Sequence, residues 1–428
     1  MLEIDETSYE RSHFDARYEA LATYPGLERC AGRRYAACLT EPAEWIALCL
    51  YLRERGGSVL PLNPNTPLEA AKRLARRTRC EQLLFHSVEN AIPLGEAAAG
   101  GAGSLLQLSS GTTGEPKCIE RPWPAIDEEI ESYCGALGEH GERTPLLACP
   151  ITHAYGLISG VLAALRRGVR PVVLTNINPK YLIRRATESP RGLLYASPTL
   201  LNVLVRLLPE DRRLCAVMTS GAPLRASEFV ELQRRAERVL QQYGCSEVGC
   251  ISLNRDMRAA NEIGTPLSHL RVRAGASREE PEEIRVGTWD AEVGTKDLGY
   301  VDERGLHFVA RMDDMINVAG VNVYPQEVEE VVLEFPGVQE AVVYKRVDPY
   351  ASERVCLQFT GRGDIDVAEL RRFCAENLTP FAVPTELRQV AEIAKLENGK
   401  INRGRLADLS SAGERAEAGA RAVRGAER

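Results

Sequence analysis

The feature that most constrains this fold is an alternation between residues 34 and 242, where short, continuously apolar runs are separated by amphipathic helical stretches. The runs at 34–39, 58–62, 81–85, 146–149, 171–174, 192–196, 214–218 and 239–242 read as strands. Helices are expected at 42–55, 157–167, 180–187, 199–208 and 226–238. Another should begin at Thr66-Pro67-Leu68-Glu69, which offers a capping hydroxyl, a first-turn proline and an N3 glutamate, and run toward Arg79. Strands apolar on both faces must be covered on both, and parallel pairing requires a crossover between partners. The expected fold class is therefore α/β, with a large N-terminal domain of parallel-type sheets covered by helices.

The pattern changes at Ile263 to shorter, polar-alternating strands with a hairpin expected at Asp302-Glu303-Arg304-Gly305, a small antiparallel layer. Beyond the charged joint Arg311-Met312-Asp313-Asp314 come a helix at 325–335, strands at 340–346 and 355–359, a helix at 367–377 and a strand at 386–390. This mixed pattern predicts a small α+β C-terminal domain. The expected division is 1–310, 311–406 and a tail at 407–428, whose Ala, Gly, Arg and Glu residues cannot bury a core and should be disordered. A length of 428 residues agrees with two or three domains.

A net charge of −7 gives no bulk attraction to nucleic acid or an anionic membrane. The first fifteen residues are acidic and polar, unlike a signal peptide, and the apolar run 45–52 is too short for a membrane span. A cytoplasmic location is expected. The twelve cysteines form no C-x-x-C pair, so free thiols are expected, and no histidine near Cys245 and Cys250 completes a zinc set. The basic cluster Lys72, Arg73, Arg76, Arg77 and Arg79 reads as a solvated helix face rather than an anion site.

Chemistry concentrates in Ser109-Ser110-Gly111-Thr112-Thr113-Gly114-Glu115-Pro116-Lys117. Glycines let backbone N–H groups turn into a cradle, hydroxyls add donors and lysine adds a charge, a combination suited to a polyphosphate. A Walker A loop does not fit: Gly111 and Gly114 stand three apart, Pro116 precedes the lysine and Cys118 follows it. Taken alone, the segment is equally readable as a surface turn. Two more loops, Ser220-Gly221-Ala222-Pro223 and Tyr243-Gly244-Cys245-Ser246-Glu247, fall at carboxyl ends of strands, where ligands of such sheets gather.

In series these segments resemble the motifs of the adenylate-forming superfamily of acyl-CoA synthetases, adenylation domains and luciferases. Ser109 to Lys117 resembles its phosphate loop, Tyr243 to Glu247 its Tyr-Gly-x-Thr-Glu motif, and Thr295-Lys296-Asp297-Leu298-Gly299-Tyr300 its Thr-Gly-Asp-Leu-Gly-Tyr motif. Arg311 to Ile316 is similar to its ribose-and-hinge segment, and Gly399-Lys400-Ile401-Asn402-Arg403 to its terminal Gly-Lys-x-x-Arg.

The resemblance implies an ATP-dependent acid–thiol ligase with a mobile C-terminal domain. A carboxylate attacks the α-phosphate of ATP, pyrophosphate leaves, and a thiol displaces AMP from the acyl-adenylate. It implies that Ser109, Ser110, Gly111, Thr112, Thr113, Gly114 and Lys117 hold the β- and γ-phosphates, with Ser246 close by and Glu247 on Mg2+. Gly221, Ala222 and Pro223 would flank adenine on one face and Tyr243 on the other, Asp297 and Arg311 would bind the ribose, and Lys400 would reach the carboxylate and α-phosphate. Lys400, Glu247 and Lys117 are the catalytic candidates.

By the same resemblance, His153, Tyr155, Gly156, Gly221 and Cys245 line the acyl pocket, Asp313 is the hinge and Gly320 borders the pantetheine channel. No aspartate lies between Cys149 and Gly160 to pair with a substrate ammonium, which disfavours an α-amino acid. Coenzyme A is the expected acceptor on the likeness of 317–325 to acyl-CoA ligases, with loading of a carrier protein as the alternative. Departures are Lys296 and Ala310 where glycines are usual, Ser220 where a second glycine is frequent, a compact stretch at 264–295, and fewer residues before the 34–39 strand than typical members carry. A non-catalytic adenylate-binding protein is the remaining class; the charged candidates Lys117, Glu247, Asp297, Arg311 and Lys400 all favour an enzyme.

Overall fold

The computed structural model describes residues 1–95, 101–109, 117–288, 291–348, 352–395, 401, 403, 404 and 406. It comprises two compact units, one of 1–272, 285–293 and 303–306, the other of 273–284, 294–302 and 307–428. The architecture is α/β, as the alternation implies.

The first unit holds two sheets. The smaller runs Ala91–Pro93, Gln82–His86, Arg34–Leu39, Ser58–Pro61, Ser104–Ser109 and Lys117–Pro122, parallel in its middle and antiparallel at both edges. In the larger, Val239–Cys245, Val217–Thr219, Gly192–Ala196, Thr144–Leu147, Val172–Val173 and Leu2–Ile4 lie side by side in parallel. Thr7–Tyr9 extends it antiparallel at one edge, and on the other side Gly249–Asn254 and Glu262–Pro266 continue it antiparallel. The N-terminal segment, which carried no strand expectation, thus supplies an edge.

Helix starts follow short polar side chains where these are available. Asn178 accepts the Lys180 N–H at 3.0 Å ahead of Pro179–Thr187, and Ser197 accepts that of Leu200 at 3.3 Å ahead of Pro198–Leu207. The expected Thr66 cap is not used: the helix is Leu68–Arg77, Pro67 occupies the cap position, and no side chain caps it. Thr66 instead donates its backbone N–H to Asn63, closing the preceding turn. Buried apolar side chains from Pro179–Thr187, Pro198–Leu207 and Ala226–Arg235, with those of the parallel strands, fuse into one core including Leu182, Leu194, Leu201, Leu204, Val217 and Phe229.

The second unit packs helices Pro325–Glu334 and Val367–Asn377 on a sheet ordered Val321–Val323, Ile316–Val318, Ser352–Gly361, Val338–Asp348, with Glu386–Gln389 parallel to Ser352–Gly361. Its helix Val367–Asn377 starts on Asp366, whose carboxylate accepts the Ala368 and Glu369 N–H groups at 2.8 and 3.2 Å. The turn expected at 302–305 joins Glu292–Asp302 to Gly305–Arg311. No helix among the described residues is long and apolar enough to cross a membrane.

Candidate functional site

Ser109 and Lys117 are register partners at the open end of the antiparallel pair Ser104–Ser109 and Lys117–Pro122. The expected phosphate loop is therefore a strand-to-strand connection, not the strand-to-helix turn of a Walker A loop. Lys117 is exposed at the start of the second strand. Ser110, Gly111, Thr112, Thr113 and Gly114 lie outside the described residues, as does Lys400.

Gly221, Ala222 and Pro223 follow Val217–Thr219 after Ser220 and are exposed, as a strand-end loop would be. Gly221 has φ +92°, the left-handed region that disfavours a side chain. The second loop differs from expectation. Val239–Cys245 runs on through Tyr243, Gly244 and Cys245, and only Ser246, Glu247 and Val248 turn before Gly249–Asn254 returns antiparallel. The ladder shifts register between Tyr243 and Gly244, a bulge of the kind that re-aims side chains. A Cβ at Gly244 would stand 2.1 Å from the Gly249 carbonyl oxygen, so the hairpin closes only with glycine there. Tyr243 is half-buried and Glu247 is exposed at the tip. Burial, seconded by the Glu247 charge, pushes the Cys245 thiol up to about 12, leaving it neutral rather than a nucleophile.

The helix expected at 157–167 is wound differently: Tyr155–Leu162 is a π-helix continuing into the α-turn Ala163–Arg166. Such segments are rare and frequent at functional sites. Its first residues are the acyl-pocket candidates. Tyr155 donates its hydroxyl to the Met218 carbonyl at 2.5 Å, which ties the start of this helix to the strand leading toward Gly221. Gly156 packs so that a Cβ would meet the Pro150 carbonyl oxygen at 2.5 Å, and Gln242 Nε2 donates to Ser159 Oγ at 3.1 Å, one residue before Tyr243. His153, two residues before Tyr155, is exposed, and its carbonyl accepts the Leu157 N–H.

The second unit brings its own candidates together. Asp297 is buried, and Arg311 Nε lies 3.1 Å from its Oδ1. Asp297 accepts no help from chance orientation: its N–H donates to Thr295 Oγ1 at 3.1 Å, and Thr295 in turn donates to the Ile284 carbonyl at 2.8 Å. A carboxylate fixed this way, with a guanidinium beside it, suits a pair of vicinal hydroxyls. Lys296 sits at φ +61°, and its Nζ is 3.4 Å from Asp313 Oδ2. Gly320, at φ +88°, donates its N–H to Asn317 Oδ1 at 3.0 Å. Arg403, three residues after Lys400, bonds Glu329 Oε1 at 2.7 Å and the Val343 carbonyl at 2.9 Å and lies 3.6 Å from Asp314 Oδ2.

Among the described residues no group of three or more His, Cys, Asp or Glu could cage a metal. Glu247, one exposed carboxylate at a hairpin tip, fits an ion such as Mg2+ that takes one or two carboxylates and completes its shell with phosphate oxygens and water.

Two supporting pairs were not legible as site residues: Gln242 with Ser159, and the buried Arg121 with Glu129. The available signal for the last was a carboxylate on the otherwise apolar face Trp123, Ile126, Ile130, Tyr133 and Leu137 of helix Trp123–Leu137.

Comparison with known proteins adds the following. The AMP-binding enzyme family profile matches residues 96–282, and the AMP-binding enzyme C-terminal domain profile matches residues 327–400. The chain is 40% identical over 409 residues to a 3,4-dihydroxybenzoate–(aryl-carrier protein) ligase of Bacillus anthracis, covering 94% of this chain and 98% of that one. It is 28% identical to a 2-succinylbenzoate–CoA ligase of Listeria monocytogenes serotype 4b (strain F2365), over 72% of this chain and 70% of that one. The ATP-bound crystal structure of MatB from Rhodopseudomonas palustris shares the fold at a TM-score of 0.81 with 20% identity, covering 95% of each chain.

Proposed function

Since the chain belongs to the AMP-binding enzyme family, within the adenylate-forming superfamily, and is an AMP-forming ligase, we propose that it activates a hydroxylated aryl acid and loads it onto the phosphopantetheine thiol of a carrier protein. The single observation behind this reading is the 40% identity with the 3,4-dihydroxybenzoate–(aryl-carrier protein) ligase, sustained along 94% of this chain. Coenzyme A, the acceptor first expected from 317–325, finds support in relatives of lower identity that match a smaller share of the chain, such as the 28% relative over 72%. The carrier-protein alternative is therefore the better supported one.

The proposed chemistry balances in two displacements. A carboxylate oxygen of the acid bonds to the α-phosphorus of ATP, the bond from that phosphorus to the bridging oxygen breaks, and pyrophosphate departs with its electron pair. The thiol then gives up its proton, bonds to the acyl carbon, and AMP leaves as the phosphate anion.

Ser109, Ser110, Thr112 and Thr113 with Lys117 hold the departing phosphates, where fixed donors and a cation stabilise developing charge. Mg2+, when bound, neutralises phosphate oxygens, and Glu247 is the residue that would hold it. Gly221, Ala222, Pro223 and Tyr243 sandwich the adenine, with Ser246 beside the phosphates, and Asp297 with Arg311 orients the ribose. Lys400 bridges the carboxylate and the α-phosphate. His153, Tyr155, Gly156 and Cys245 bound the acyl pocket, to which Cys245 brings a neutral thiol and Tyr155 a hydroxyl spent on the Met218 carbonyl. Asp313 is the hinge about which the region 311–406 turns between the two half-reactions, and Gly320 borders the thiol's path.

ATP–pyrophosphate exchange over hydroxybenzoates, 2-succinylbenzoate and fatty acids tests the acid. Transfer from the acyl-adenylate to a pantetheinylated aryl carrier protein against free coenzyme A tests the acceptor. Exchange driven by 3,4-dihydroxybenzoate with transfer to the carrier is the expected result. Exchange confined to fatty acids, or transfer to coenzyme A alone, overturns the proposal, and ATP binding without exchange for any acid would favour a non-catalytic adenylate binder.

A further inference from the structure

Arg121 and Glu129 form an ion pair inside the first unit, Arg121 Nη2 lying 2.5 Å from Glu129 Oε2, with side chains 4% and 2% exposed. Arg121 belongs to Lys117–Pro122 and shares a face of that strand with Lys117 and Ile119, since alternate residues of a strand point the same way. Glu129 belongs to the helix that follows directly, Trp123–Leu137. The other oxygen of that carboxylate, Oε1, accepts the backbone N–H of Cys250 at 2.8 Å. Cys250 is the second residue of Gly249–Asn254, the strand into which the Ser246-Glu247-Val248 turn leads.

The fit around this contact is close. Gly249 has φ +93°, and a Cβ there would stand 2.4 Å from Glu129 Oε2 and 2.5 Å from the Arg121 guanidinium. The returning strand therefore lies directly on the ion pair. Replacing a buried ion pair with apolar side chains of similar size is often neutral or stabilising, so stability alone does not call for these two charges. What an apolar pair could not do is accept the Cys250 N–H and so fix where the strand begins.

We propose that Glu129, neutralised and aimed by Arg121, is a positioning residue for the Glu247 hairpin: it ties the hairpin to the strand and helix that follow Lys117, so that the metal-side carboxylate and the phosphate-side lysine keep a fixed separation. The inference rests on the reading of Glu247 and Lys117 given above. It concerns neither residue's own chemistry, only the framework that holds them in register.

The experiment separates a positioning role from a merely structural one by two variants of the full chain. Glu129→Gln keeps an oxygen acceptor for the Cys250 N–H but leaves the Arg121 charge buried and unpaired. The double variant Arg121→Met/Glu129→Leu removes both charges together with the acceptor. Three quantities are read: the thermal midpoint, amide hydrogen exchange of the 243–252 segment, and the Mg2+ concentration for half-maximal binding of a fluorescent ATP analogue. Glu129→Gln should lower the midpoint yet leave hairpin exchange and Mg2+ dependence near wild type. The double variant should keep the midpoint, with exchange of the hairpin amides faster and the Mg2+ requirement higher by about tenfold each, the scale of one lost hydrogen bond. The proposal is overturned if hairpin exchange in the double variant matches wild type, or if exchange and Mg2+ dependence follow the midpoint across both variants. Glu247→Gln serves as the control. Unchanged Mg2+ dependence in that variant overturns the assignment of Glu247 to the metal, while hairpin exchange still decides the role of Glu129.

Discussion

Lys296 Nζ lies 3.4 Å from Asp313 Oδ2, so the residue that stands where related motifs usually carry glycine pairs with the carboxylate proposed as the hinge. Lys296 takes φ +61° to do so, a conformation that costs an L-residue about 1 kcal/mol. Both partners are about half exposed, and such pairs contribute on the order of 0–1 kcal/mol. Lys296→Ala, which keeps the strained backbone and loses the pair, should destabilise by under about 1 kcal/mol. Lys296→Gly, which relieves the strain as it loses the pair, should be close to neutral by urea denaturation. A Lys296→Gly variant markedly less stable than Lys296→Ala would contradict this account.

Arg403, three residues after Lys400 in the sequence, is held by Glu329, the Val343 carbonyl and Asp314. Glu329 is buried and also accepts the Val343 N–H at 2.7 Å. Arg403→Ala leaves that carboxylate short of its cation and should destabilise the second unit by about 3 kcal/mol. Chemical denaturation monitored within 311–406 reads the loss, and acyl-adenylate formation should fall with it.

The Cys245 thiol is raised from its ordinary value near 9 to about 12. The folded state therefore binds this proton more tightly than the unfolded chain does. The resulting stability is complete below pH 9 and is lost as pH rises from about 9 toward 12. At pH 8, alkylation of Cys245 by iodoacetamide in the native protein should be far slower than in the denatured chain, as peptide mapping would show. Rapid native labelling would contradict the raised thiol.

Lys400→Ala should reduce acyl-adenylate formation about a hundred- to a thousandfold, the scale of losing one transition-state donor. Binding of ATP, carried by residues of other segments, should persist. Pyrophosphate exchange at the wild-type rate would remove Lys400 from the mechanism.

Much of this was written locally. Short apolar runs and amphipathic helices announced the covered sheets because strand and helix periods are properties of neighbouring residues, and Arg34–Leu39, Gly192–Ala196 and Val367–Asn377 match their expected bounds. The Tyr243–Glu247 and Arg311–Ile316 segments are recognisable because the family's motifs set particular residue types at fixed spacing. Tertiary structure decided what depends on partners remote in sequence. Thr66 yielded its cap to Pro67, the 157–167 helix wound partly as a π-helix, and the strand before Glu247 ran on through Cys245 because Gly244 could close on Gly249. Glu129 reaches Cys250 across 121 positions, and Tyr155 reaches Met218 across 63. A hydrogen bond depends on distances in space that the chain sets only once its cores have packed, so the sequence by itself determined which chemistry this protein carries, and folding determined which side chains hold that chemistry in place.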